Sequence, residues 1–200
     1  MIFLNDAKKH ESITNYSFLL TIAYTGIRKG EAMGLRWKNI DFENNTIKIE
    51  RTRDHLGVRS PKTKKSYRTI SVDEMVLKQL ETYKKWCKKT LFSYGEKITD
   101  ETYVFITDHG AIPIASIARS VNRILTRTSL PKITVHGLRH THCTILLNRG
   151  RNVKVIAERL GNSPEMVYNV YGHVLKELEQ ESVTLFSQSL EVSGANFGAN

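Results

Sequence analysis

The chain has 200 residues, 40% of them hydrophobic, which is enough for one good core and too few for two full-sized domains. Lys and Arg outnumber Asp and Glu by 30 to 20; the net charge of +10 favours a polyanionic partner, nucleic acid before a membrane, because there is no long uncharged apolar run and no lipidation signal. The N-terminus turns polar at Asn5-Asp6, too early for a secretory signal, and Cys87 and Cys143 form no C-x-x-C pattern, so export, a disulfide framework and a structural zinc site are not suggested and a reducing cytoplasm is expected.

In chain order, Phe18, Leu19, Leu20, Ile22 and Ala23 predict a buried helix over 16–23 that Gly26 breaks, with a short helix over 29–35 after it. Ile47 and Ile49 alternate with Lys48 and Glu50, and Ile70 and Val72 with Thr69 and Ser71, as in half-buried strands of a small antiparallel sheet. Between them, 54–65 reads as an exposed basic turn or extra strand, with Arg53 just before it and Arg59, Lys62, Lys64 and Lys65 within it. Helices are expected over 72–89 and 114–127, separated by a polar loop over 93–100. The last third reads as helical. One helix covers 136–148 and ends at Gly150; Asn152 caps the next, whose stripe of Val153, Ile156, Ala157 and Leu160 stops at Gly161. Ser163-Pro164-Glu165 starts another, expected to run into Tyr171 and end at Gly172. An amphipathic helix over 174–186 follows, then a tail expected to be flexible from about residue 188 and disordered from Gly194. The fold class is thus mainly α with a small antiparallel sheet (α+β).

Three separated segments carry residue types that phosphodiester transesterification needs: Thr25-Gly26-Ile27-Arg28-Lys29-Gly30-Glu31, His136-Gly137-Leu138-Arg139-His140, and Leu160-Gly161-Asn162 with Tyr171 nine residues on. A phosphorus under in-line attack gathers charge on its non-bridging oxygens, and guanidinium forks suit them, which makes Arg28 and Arg139 the candidates. His136 lies three residues before Arg139, on the same side of a helix. His140 and His142 read as structural. The histidines from His136 to His142 have no carboxylate or Cys at ligand spacing, so no metal is expected.

On these segments the chain resembles the catalytic domain of tyrosine recombinases, the strand-exchange enzymes of phage and transposon integrase type, whose pattern is T-G-x-R-x-G-E, then H-x-L-R-H, then L-G-H and a nucleophilic tyrosine in Y-x-H. The likeness runs in that order from about Ile2 to about Phe186. It implies that Tyr171, before Gly172-His173, attacks the phosphorus to form a 3'-phosphotyrosyl link, with Tyr168 one turn earlier as the alternative. It also implies that His136 is a base or hydrogen-bond donor, and that a lysine of the hairpin protonates the leaving 5'-oxygen. Lys62 matches that lysine best, and Lys64 and Lys65 stay open beside it. Glu31 is implied to be a structural partner of the basic groups. Asn162 stands where the family carries His or Trp; its amide can donate to a phosphate oxygen and cannot act as acid or base.

The expected function is therefore site-specific DNA recombination or integration, with Arg53, Arg59, Lys64 and Lys65 contacting DNA and no cofactor. The alternatives are a type IB topoisomerase, against which the L-G-N and Y-G-H segments speak, and a non-catalytic DNA-binding module, for which Asn162 is the hint. The partners implied are double-stranded attachment sites, with a homotetramer on DNA, a monomer without it and no membrane, in a bacterial cytoplasm. The catalytic domain is expected over 1–187, and the N-terminal DNA-clamping domain of the family has no counterpart here, as in a fragment or a shortened protein.

Overall fold

The computed structural model describes residues 2–55, 57–60, 66–107, 110–111 and 114–192. The chain opens with α1 (Ile2–His10), α2 (Ile13–Thr25) and α3 (Lys29–Gly34), then a 3-10 turn, Trp37–Asn39. Five strands follow: β1 (Ile40–Asp41), β2 (Thr46–Ile49), β3 (Thr52–Asp54), β4 (Gly57–Arg59) and β5 (Arg68–Ser71). After α4 (Glu74–Ser93) come the short β6 (Ile106–Thr107) and β7 (Gly110–Ala111), and then α5 (Ile114–Thr128), α6 (Val135–Asn148), α7 (Val153–Leu160) and α8 (Pro164–Val192). The structure is mainly helical with a small antiparallel sheet. None of its described helices is long and apolar enough to cross a membrane.

The sheet has the order β1-β2-β5, with Ile47 opposite both Ile40 and Ile70. The period-two pattern decides its faces: Ile47, Ile49 and Ile70 are buried while Lys48 and Thr69 face out. Within the span 54–65, expected as an exposed basic turn or extra strand, β4 is an extra strand that pairs with β3 in a separate two-stranded hairpin. Lys62, Lys64 and Lys65 lie outside the described residues.

Caps behave as the sequence indicates. Asn152 accepts from the Lys154 amide, and Gly161 ends α7 in the left-handed conformation. The nucleophile-bearing helix was expected to run into Tyr171 and end at Gly172, and helical backbone is lost at Tyr171 (φ −116°, ψ 16°), where two helices meet at a kink within α8. Helix α8 also reaches Val192, past the boundary at 188, and residues from Gly194 lie outside the described ones.

Two apolar clusters result. The larger joins α1, α2, α4, α5 and the sheet around Phe18, Trp37, Tyr83 and Phe105. The smaller joins α6, α7 and α8 through Cys143, Leu147, Ile156, Leu160, Val167, Tyr171 and Val174. Polar contacts pin α1 and the start of α2 to α5: Arg127 donates to Asp6 and Glu11 at 2.7 Å, and Arg123 and Ser120 also donate to Glu11.

Candidate active site

The first motif segment is a helix end followed by a helix start. Thr25 closes α2, its hydroxyl donating to the Thr21 carbonyl, and Gly26 takes a left-handed φ of +68°. A Cβ at Gly26 would sit 2.7 Å from both His142 and Leu160, so only glycine lets α2 end against α6 and α7. Helix α3 starts at once. Glu31, in its first turn, reaches back to the Arg28 amide at 2.8 Å, satisfying a donor that the helix start leaves open.

Helix ends supply the acceptors that hold the two candidate arginines. Arg139 on α6 is buried, with Nη1 donating to the Gly26 carbonyl at 2.7 Å and Nη2 to the Leu160 carbonyl at 2.9 Å. Arg28 donates to Glu31 at 2.9 Å, to the Gly161 carbonyl at 3.1 Å, to Asn162 Oδ1, and at 3.5 Å to the Leu160 carbonyl. All three motif segments thus meet around the carbonyls of Gly26, Leu160 and Gly161. Burial lowers the Arg139 guanidinium to about 10, aided by the like charge of Arg28, yet it stays cationic at neutral pH.

Glu31 is the counter-charge, 3% exposed. Its other partner is a residue that the motif pattern left out: Arg68, at the start of β5, donates to Oε1 at 3.1 Å and to Oε2 at 2.9 Å, and its Nε donates to the Arg159 carbonyl at 2.7 Å. Burial alone would raise the Glu31 carboxyl; the hydrogen bonds and charge of Arg68, joined by Arg28, outweigh it and hold the group below its ordinary range.

The histidines of α6 and the tyrosine of α8 add the remaining candidate groups. His136, in the first turn, is exposed, with its ring edge-on to His140 at 4.6 Å. Partial desolvation of the ring, with His140, Arg139 and Arg28 nearby, pushes its pKa down. His140 was expected to be merely structural, but its Nδ1 lies 2.7 Å from the Tyr171 hydroxyl. His142 is structural: Nδ1 donates to the Ala23 carbonyl at 3.1 Å, and Nε2 accepts from Arg159 at 3.2 Å. That bonding requires the neutral tautomer, in keeping with a pKa lowered to about 4 by burial and by Arg159. Tyr171 is 6% exposed, and burial beside the Cys143 thiol pushes its hydroxyl well above 10.0, with Arg139 pulling the other way. Tyr168, the alternative nucleophile, is 54% exposed.

Arg28, Glu31, Arg139 and Asn162 are therefore joined directly or through shared partners, Tyr171 lies within electrostatic reach of Arg139 and bonds His140, and His136 stands beside His140. Arg53 and Arg59 lie apart on the β3–β4 hairpin, Arg53 over the Tyr103 ring at 4.6 Å and Arg59 paired with Asp54. Arg68 and Arg159 were missed. Arg68 had a signal, since it shares the alternating inward face of β5 with Ile70 and a cation there needs a buried carboxylate. Among the described residues no group of three or more His, Cys, Asp or Glu could hold a metal ion.

Residues 2–177 match the phage integrase family. A "Tyrosine recombinase XerC-like" protein of Caldanaerobacter subterraneus is 30% identical over 184 residues, 83% of this chain and 47% of that protein. The ICEBs1 integrase of Bacillus subtilis is 30% identical over 167 residues, 80% of this chain and 45% of that one. The chain thus spans about half the length of these curated relatives. Among solved structures, the Tn1549 transposon integrase in complex with transposon right end DNA superposes with a TM-score of 0.70 at 27% identity, over 84% of this chain and 58% of that chain. XerA recombinase shares the fold, with a TM-score of 0.66 at 22% identity over 90% and 60% of the two chains. With the family match covering most of its length, this chain belongs to the phage integrase family.

Proposed function

We propose that this chain is the catalytic unit of a site-specific recombinase that cleaves and rejoins duplex DNA through a 3'-phosphotyrosyl intermediate. The observation that carries the reading is the placement of Tyr171, held at its hydroxyl by His140 and within electrostatic reach of Arg139, whose guanidinium backbone carbonyls hold in place. In this reading Tyr171 Oη bonds to phosphorus as the bond to the 5'-oxygen breaks. The phosphotyrosyl link conserves the energy of the phosphodiester, so rejoining needs no nucleotide. Arg139 keeps N–H groups beyond its two carbonyl bonds for the non-bridging oxygens, and the long Arg28 contact at 3.5 Å is one a phosphate can replace. Because Asn162 Oδ1 faces a group that can only donate, its NH₂ is turned away and serves as a phosphate donor. Lys62, with Lys64 and Lys65 as alternatives, protonates the leaving 5'-oxygen, and the basic hairpin bearing Arg53 and Arg59 tracks the DNA backbone. A tetramer on two DNA sites, in a bacterial cytoplasm, completes the proposal. Its support is the run of exposed apolar residues on α8, Val183, Leu185 and Phe186, which leaves surface for a neighbouring protomer.

The test is a nicked suicide duplex carrying candidate attachment sequence, from which the short 5'-hydroxyl fragment diffuses away and traps a covalent protein–DNA adduct. The adduct forms with the wild-type chain and with Tyr168→Phe, and not with Tyr171→Phe. An adduct persisting in Tyr171→Phe rejects the nucleophile. Binding without any adduct favours a non-catalytic module, and relaxation of supercoiled DNA without exchange favours a topoisomerase.

A further inference from the structure

We infer that His140 is the base that takes the Tyr171 proton as this nucleophile attacks, and the acid that returns it when the strand is rejoined. The inference rests on the recombinase reading above and adds to it a residue that the motif pattern leaves as structural. Its ground is geometric. His140 Nδ1 is 2.7 Å from Tyr171 Oη, and the two rings lie 5.6 Å apart, tilted by 54°. The tyrosine meets it from the one residue of α8 whose backbone leaves helical φ/ψ.

The other groups near the hydroxyl are unsuited to the task. The Cys143 thiol shares the pocket, but burial pushes its pKa up, so it holds its own proton. Arg139 is a cation and accepts nothing. His136 stands edge-on to the His140 ring in the exposed first turn of α6, and it is His140 that bonds the hydroxyl. A phenol buried to 6% exposure does not ionise unaided near neutral pH, and a nucleophile that is weak at its own pKa needs an adjacent base.

The step balances on this chain's own groups. Neutral His140 carries its proton on Nε2, leaving the Nδ1 lone pair toward Oη. As the Oη–phosphorus bond forms, the phenolic proton passes to Nδ1; the bond from phosphorus to the 5'-oxygen breaks, and that oxygen takes a proton from the proposed acid, Lys62. The imidazolium keeps its proton through the covalent stage. On rejoining, the 5'-hydroxyl attacks and gives its proton back to the lysine, while the released Oη recovers the proton from Nδ1.

Single-turnover cleavage of the suicide duplex by the full chain provides the test. His140→Ala is expected to cleave about 10²–10⁴-fold more slowly, the usual worth of a positioned base, and added imidazole restores part of the rate. His140→Asn can still hydrogen-bond the hydroxyl but cannot take up a proton, so it stays as slow as the alanine variant. It also decides the matter if His140→Ala fails to fold. Imidazole should not accelerate His136→Ala. A rate within a few-fold of wild type in either His140 variant, rescue at position 136 instead of 140, or a folded His140→Ala that imidazole leaves unchanged overturns the inference. The parent reading fails separately, by a wild-type chain that forms no adduct or by an adduct in Tyr171→Phe.

Discussion

Glu31→Gln isolates the electrostatic support of the site from the chemistry. Oε1 of Glu31 accepts from Arg28 Nη1 and Arg68 Nη1, and Oε2 from the Arg28 amide and Arg68 Nη2. Whichever way a glutamine amide is turned, its NH₂ faces two donors, and the Arg68 cation, 7% exposed at its side chain, loses its counter-charge. Breaking a buried pair from one side costs about 3–5 kcal/mol. At about 2–4 °C per kcal/mol for a domain of this size, the melting temperature falls by roughly 10 °C. Urea unfolding should show a lower midpoint with an unchanged slope. Adding Arg68→Met removes the orphaned cation, so the double variant should cost less than the sum of the two singles. Because the folded carboxyl lies below its ordinary value, its stabilisation is complete above the unfolded pKa of about 4.3 and is lost as pH falls through the folded value. The gap between wild type and Glu31→Gln should therefore close on acidification. A cost below about 1 kcal/mol at neutral pH, or additive effects with Arg68→Met, refutes the reasoning.

Arg139→Ala should lower single-turnover cleavage far more than DNA affinity, because its contacts strengthen as charge develops on the phosphate; equal losses would reduce it to a phosphate anchor. Affinity itself should fall with salt through the whole basic surface, as a titration against NaCl would show. Lys62→Ala should slow cleavage by about two to four orders of magnitude and regain most of the rate on a substrate whose bridging 5'-oxygen is sulfur, since a thiolate leaves unprotonated. Rescue at Lys64→Ala or Lys65→Ala instead moves the acid to that lysine. Glu11 is held at about 2, its bonds to Arg123, Arg127 and Ser120 outweighing burial, against an ordinary 4.5. Its contribution is therefore complete above about 4.5 and is lost as pH falls toward 2; Glu11→Gln should be less stable than wild type at neutral pH and converge on it across that window.

What was legible in the sequence, and what was not, follows from how local each signal is. The helices of the last third and the strands around Ile47 and Ile70 were readable because apolar period, caps and left-handed glycines lie within a few residues of one another. The motif residues Arg28, Glu31, Arg139 and Tyr171 were readable as types, but their partners were not. Arg68 meets Glu31 across 37 residues, and Arg28 meets the Gly161 carbonyl across 133. No local period carries that information. The same limit hid the bond between His140 and Tyr171. On α6 His140 is one more histidine between His136 and His142, and only the break at Tyr171, 31 residues later, brings a hydroxyl to its Nδ1. The stop before the last helix was readable to within one residue, since the kink between the two helices of α8 falls at Tyr171, next to Gly172.

The glycines of the motifs acquire a second meaning from this arrangement. Every helix leaves its last carbonyls without partners, and a left-handed glycine turns the chain away so that those oxygens face outward from the helix end. Gly26 does this for α2 and Gly161 for α7; Arg139 and Arg28 grip the carbonyls of these two glycines themselves, and both reach the last carbonyl of α7, that of Leu160. Side-chain carboxylates in the same places would have neutralised the guanidinium groups; carbonyl dipoles orient them and leave their charge available to an incoming phosphate, with Glu31 the one anion bonded to Arg28 among the described residues. Replacing Gly26 by alanine would therefore do more than strain a φ of +68°. Its Cβ would press on Leu160 and His142 and move both carbonyls that Arg139 depends on, so cleavage should fall in proportion to the displaced guanidinium even where the fold survives.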